Sequence, residues 1–273
     1  MILKNPYISI LKLKSSVVDL SVVAVTCAVL GTWDYRAAIG IIAGILIHGA
    51  CDIINDIYDV EIDKICKPKG AIASGQISEK NAWRYMILLI SAALIISFNL
   101  SFILFTCLLI GIIVGGIMYS HPSFRLKDKP GMAMANMGLC FALESIGIWS
   151  IYSPVGRESL MVAAYIFILV FSLTFMKDFK DVAGDINSLP LLLGIRRAAI
   201  VCSAMTILPL IPLLYIIIRY LNFYIAAIIY IVLIAGCIKI LMGNPVAQGH
   251  RLKDWMIMAL TVPNFFMFFA TII

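Results

Sequence analysis

Long apolar stretches recur along this chain, at residues 17–32, 37–54, 85–99, 102–120, 132–151, 160–176, 198–221, 223–242 and 255–273. A helix needs roughly 17 to 25 apolar residues to cross a bilayer, so these runs read as candidate spans. Composition agrees: 62% of the 273 residues are hydrophobic and only 13% are charged, against about 25% charged in a soluble domain. Mean hydropathy is +1.03. The expected fold class is an all-α integral membrane protein, a bundle of about nine transmembrane helices forming a single multi-pass domain over residues 1–273.

Charge distribution orients such a bundle. With a cytoplasmic N-terminus, nine spans put Arg36, Arg157 and Arg219 on the outer side and leave the other 18 of the 21 Lys and Arg at or near the inner side. That is the positive-inside pattern. It predicts a cell-membrane protein with a cytoplasmic N-terminus and polar site and an outer C-terminus. The net charge of +6 then reflects orientation, and nothing else points to nucleic acid or to an obligate protein partner. Lys4, Lys12 and Lys14 precede a first span without a small-residue cleavage site, so no cleavable signal is expected. Seven cysteines form no CxxC pair, and six lie in or at the ends of spans as small packing residues.

The acids are concentrated. Eight of the 15 Asp and Glu are Asp52, Asp56, Asp59, Glu61, Asp63, Asp178, Asp181 and Asp185, in two short stretches at the inner ends of spans. Asp52, Asp56, Asp59 and Asp63 step by 4, 3 and 4, and Asp178, Asp181 and Asp185 by 3 and 4. If the helices continue inward, each set shares a face, where like charges repel and call for something positive between them. Taken singly, each cluster could be a solvated loop; two at helical spacing on one side favour a metal. Oxygen ligands without His or Cys suit Mg²⁺, which completes its shell with water and substrate phosphates. A diphosphate substrate follows. Lys64, Lys67 and Lys69, then Arg125, Lys127 and Lys129, then Lys177 and Lys180 accompany the acids and could stabilise a departing diphosphate, although lysines here also serve as orientation signals.

The motifs NDIYDVEIDKICKP (55–68), YSHPSFRLK (119–127) and KDFKDVAGD (177–185) resemble, in order and position, those of the UbiA-type intramembrane prenyltransferases. The resemblance covers essentially the whole chain. It implies that Asn55, Asp59 and Asp63 bind one Mg²⁺ with Asp56 nearby, and that Asp181, Asp185 and Asp178 hold a second. Lys127 and Lys180, with Lys67 as a further candidate, would grip the diphosphate, and Tyr119 would orient the substrate near the reacting carbon. Relatives usually read near KPxRPIPSGR where this chain reads KPKGAIASGQ, and Ile186–Pro190 is a shortened turn.

The implied activity is transfer of an isoprenoid from a prenyl diphosphate to a lipophilic acceptor through an allylic cation. Tyr58, Tyr119, Phe141, Trp149 and Phe175 could stabilise that cation. The motifs describe the donor half, so the acceptor stays open: a lipid such as geranylgeranylglyceryl phosphate, its phosphate held by Lys12, Lys14 and Arg125, with a C20 donor, or an aromatic quinone precursor. Two other readings stand beside transfer. A cyclase would ionise the donor without an acceptor, and a transporter would want its acids nearer the bilayer midplane. Asp19 and Glu144, inside spans, are expected to face the bundle interior. His48, two turns before the first motif, reads as a packed or hydrogen-bonded polar residue, and Pro209 and Pro212 should break the seventh span.

Overall fold

The computed structural model describes residues 5–182 and 188–272, with Asp181 described by its backbone alone. The described residues are helical with no strand. In chain order the principal helices are α1 (Val17–Leu30), α2 (Tyr35–Tyr58), α3 (Val60–Cys66), α4 (Glu79–Leu100), α5 (Phe102–Gly111), α6 (Pro130–Trp149), α7 (Arg157–Asp181), α8 (Ile195–Met205), α9 (Leu210–Arg219), α10 (Tyr224–Met242) and α11 (Gly249–Ile272). Seven spans among the described residues are long and apolar enough to cross a membrane, with α8 and α9 counted as one continuous span. Two further apolar helices, Val17–Leu30 and Phe102–Met118, are shorter. All nine apolar stretches are therefore helical; Val17–Leu30, with 14 residues, falls below the usual crossing length, and Phe102–Met118 stands at its lower end.

Local chemistry explains the breaks. The α8/α9 span interrupts at residues 206–209, where Pro209 precedes Leu210. Asp59 leaves helical geometry (φ −101°, ψ 8°) between α2 and α3, yet Asp63 N–H still donates to Asp59 O at 2.7 Å. The helix continues past the first motif, as the shared face of the acids requires, with a bend at Asp59 that the spacing does not show. After α5 the chain widens into a π-helix over Ile112–Met118. A Cβ on Gly116 would lie 2.8 Å from Ile54 Cδ1 and 3.3 Å from Cys51 Sγ, so glycine lets this wide turn press against α2 without displacing those side chains. Tyr119 is the residue that follows.

The divergent KPKGAIASGQ segment has a structural role. Ala71, Ile72 and Ile77 are buried with Ile53 and Ile57 of α2, and Gly75 takes a left-handed turn (φ +77°). The segment anchors itself on α2 through Ala71 and Ile72, with Ile77 just beyond it, while Lys67, Pro68, Lys69, Ser74, Gly75 and Gln76 are exposed.

Candidate active site

A cavity of about 1290 Å³ opens between α1, α2, α3, α5, α6, α7 and α11. This exceeds the roughly 300–1,000 Å³ of a drug-sized ligand pocket, leaving room for two long-chain substrates. Its mouth is charged and its interior mostly apolar. Asp52, Asn55, Asp59 and Asp63 of the first motif line it with Tyr119, and so do Lys12, Lys14, Lys67, Lys177, Lys180 and Lys253. Ile47, Leu108, Gly111, Met137, Cys140 and Phe141 line the deeper part.

Positive groups already sit on the first acidic cluster. Lys127 Nζ donates to Asp59 Oδ2 at 2.5 Å and to Asn55 Oδ1 at 2.9 Å, and Ser120 Oγ also donates to Asn55 Oδ1 at 3.4 Å. Lys12 bridges Asp56 at 2.9 Å and Asp52 at 3.4 Å. Burial of the Lys12 ammonium would lower its pKa, but Asp52 and Asp56 outweigh that and hold it above the ordinary lysine value. Lys67 lies 3.2 Å from Asp63. Repulsion among the carboxylates is thus relieved by three lysines, one of them reaching from the segment before α1 and one from the loop before α6.

One oxygen is not relieved. Asp59 Oδ1 is buried without a hydrogen-bond donor; the Arg125 guanidinium stands 3.7 Å from it. An unpaired carboxylate oxygen beside Asn55 and Asp63 fits a hard divalent cation such as Mg²⁺. No three His, Cys, Asp or Glu converge as a ready ligand set among the described residues. The second motif bears on this: Lys177 and Lys180 line the cavity on either side of Asp178, while Asp185, the Asp181 side chain and residues 186–187 of the shortened Ile186–Pro190 turn lie outside the described residues.

Several expectations are sharpened. Of the five aromatic candidates, Tyr119 and Phe141 line the cavity. Trp149 donates Nε1–H to Pro154 O at 3.3 Å, Phe175 is fully buried and stacked on Phe179, and Tyr58 packs edge-on against Trp83 and His121. Arg125 turns to Asp128, 2.6 Å away, whereas Lys12 and Lys14 do reach the cavity. Asp19 and Glu144 are buried as expected, 3% and 5% exposed. His48 is hydrogen-bonded to Asp19, a pairing between α1 and α2 that no local spacing could reveal.

The sequence and the fold have counterparts among known proteins. The chain is 27% identical over 263 residues to the digeranylgeranylglyceryl phosphate synthase of Methanothermobacter thermautotrophicus, covering 91% of this chain and 90% of that protein. It is 34% identical over 192 residues to a probable chloroplastic homogentisate phytyltransferase 2 of Oryza sativa subsp. japonica, covering 63% of this chain and 49% of that protein. Its fold matches that of a UbiA homologue from Archaeoglobus fulgidus, solved with GPP and Mg²⁺ bound, with a TM-score of 0.71 over 98% of each chain at 16% identity. A profile of the UbiA prenyltransferase family matches residues 20–235, and the chain belongs to that family.

Proposed function

We propose that this intramembrane prenyltransferase moves a C20 isoprenoid from geranylgeranyl diphosphate to the free glycerol hydroxyl of geranylgeranylglyceryl phosphate, the step that completes a diether lipid. The observation that carries the reading is the single cavity that joins a mouth of carboxylates and lysines to an apolar interior sized for two long chains. End-to-end similarity to a digeranylgeranylglyceryl phosphate synthase supports the acceptor, as do Lys12 and Lys14 on the cavity wall, placed to hold an acceptor phosphate. The protein is read as one nine-crossing domain with this mouth toward the cytoplasm, supported by Arg36, Arg157 and Arg219 at the helix ends away from the acid motifs, at the start of α2, the start of α7 and the end of α9.

Asn55, Asp59 and Asp63 would hold one Mg²⁺, with Asp56 close by, and Asp178, Asp181 and Asp185 a second. When bound, Mg²⁺ neutralises the diphosphate and lowers the barrier to its departure. Lys127 and Lys180 bind the diphosphate oxygens, where negative charge grows as the C1–O bond breaks, and Lys67 adds a cation at the mouth. Tyr119 orients the reacting carbon, and its ring with that of Phe141 faces the developing allylic cation. The apolar interior excludes water that would otherwise intercept the cation.

A second reading has its own support, since the 34% identity over 192 residues is to an enzyme named for an aromatic acceptor. Purified protein in detergent, given geranylgeranyl diphosphate with or without Mg²⁺ and a panel of acceptors, separates the two. Mg²⁺-dependent diphosphate release that requires geranylgeranylglyceryl phosphate is the expected result. Release that requires a quinone precursor moves the assignment to an aromatic acceptor, and release without any acceptor moves it to cyclisation.

A further inference from the structure

Beyond the metal end, the cavity carries a second polar cluster that diphosphate chemistry does not use. His48 Nδ1 lies 2.8 and 3.1 Å from the two oxygens of Asp19, with the Asp19 side chain 4% exposed and the His48 side chain 25% exposed. Both residues line the cavity. The Phe141 ring packs against the imidazole at 5.9 Å, and one helical turn before His48 the Glu144 carboxylate lies against Gly44, its Oε1 where a Cβ on residue 44 would be. Glu144 Oε1 and Asn136 Oδ1 are both buried without a hydrogen-bond partner, and both residues line the cavity. An orphaned Glu144 oxygen one turn from the imidazole, with a second orphan at Asn136 about 12 Å further along α6, makes a place for a polar group of a ligand, since buried polar atoms are otherwise paired.

The position suits the acceptor. His48, Asp52, Asn55 and Asp59 follow one another on a face of α2 at spacings of 4, 3 and 4. His48 therefore sits about 10 Å along the helix axis from Asn55, at 1.5 Å per residue, on the apolar side of the first motif, where the reacting carbon must point if the diphosphate is at the mouth.

We propose that His48 is the general base of the transfer and Asp19 the residue that positions it. Asp19 accepts Nδ1–H, which fixes the tautomer and leaves the Nε2 lone pair for the acceptor hydroxyl. As the hydroxyl oxygen bonds to C1, the C1–O bond to diphosphate is already broken, the hydroxyl proton passes to Nε2, and diphosphate carries away the bonding electron pair. The proton then leaves His48 through the open mouth. This assignment rests on the proposed hydroxyl acceptor.

The test compares wild type with His48→Gln, in which the amide still donates to Asp19, on geranylgeranylglyceryl phosphate and on its analogue with a thiol in place of the hydroxyl. A thiol is a stronger acid than an alcohol by several pKa units and ionises without help. The expected result is at least about a 100-fold fall in transfer to the hydroxyl acceptor, the usual size of a general-base effect. Transfer to the thiol should stay within about threefold of wild type, and Mg²⁺-dependent binding of the donor should be unchanged. Asp19→Asn should repeat the pattern and Asp19→Glu should partly restore hydroxyl transfer, which keeps the test decisive if His48→Gln does not fold. Equal loss with both acceptors while donor binding persists, or undiminished hydroxyl transfer in His48→Gln, overturns the base while leaving the prenyltransferase reading intact. Wild-type protein that transfers to neither acceptor overturns the hydroxyl-acceptor reading and the base together.

Discussion

Lys127 Nζ lies 2.5 Å from Asp59 Oδ2 and 2.9 Å from Asn55 Oδ1, residues 68 and 72 positions away in the chain. If Asp59 holds a metal as proposed, an ammonium that binds two first-motif side chains would be released to bind a diphosphate. Lys127→Met should lower kcat/KM by about 10²–10³-fold, the usual effect of removing one electrostatic stabiliser of the transition state. It should also weaken Mg²⁺-dependent donor binding. Steady-state kinetics with a donor-binding titration checks both.

Asp59→Asn and Asp181→Asn should each abolish turnover while the protein still folds. In the first, the amide oxygen and Asn55 Oδ1 remain as acceptors for Lys127, and the mouth is open to water, so the lysine is not stranded. Melting temperatures in detergent close to wild type, alongside loss of Mg²⁺-dependent diphosphate release, are the expected observations. Near-normal release by either variant would remove that carboxylate from the metal assignment.

Gly116 carries the contact between the π-turn and α2, where an added Cβ would stand 2.8 Å from Ile54 Cδ1. Gly116→Leu should destabilise the bundle by about 1–3 kcal/mol, the range for overpacking a well-filled site. Because Tyr119 lies three residues on and lines the cavity, turnover should fall as well. Thermal melting and rate measurements on one preparation test the pair of effects.

At the opposite end, Asp34 begins α2 and accepts from Arg36 N–H at 2.8 Å, from the Arg36 guanidinium and from Tyr152 O–H at 2.7 Å. The hydrogen bond from Arg36, and after it the one from Tyr152, hold this carboxyl down at about 2, below its ordinary value of 3.8. A depressed folded-state pKa stabilises the protein fully above the unfolded value, and the contribution is lost as pH falls through the folded one. Melting temperature should therefore drop between about pH 4 and pH 2 more steeply in wild type than in Asp34→Asn. The side chain is about a third exposed, so the difference should be small and should shrink further in high salt.

Hydropathy and helical spacing are local properties, and they were sufficient to locate all nine apolar helices, the break before Leu210 and the two acid motifs with their order, whereas the bend at Asp59 appeared only in the structure. They also placed Asp19 and Glu144 inside the bundle, because an unpaired carboxylate facing lipid is too costly to persist. Tertiary structure decided which charges meet. Lys12 reaches 40 and 44 positions to Asp52 and Asp56, Lys127 settles on Asp59, and Asp19 finds His48 across the α1–α2 interface. It also decided that Tyr119 and Phe141 line the cavity while Phe175 is packed away, and that Ala71 and Ile72 of KPKGAIASGQ pack against α2. The physical reason is the same in each case: periodicity tells which face of a helix a residue occupies, but only the packing of helices against one another decides what that face meets.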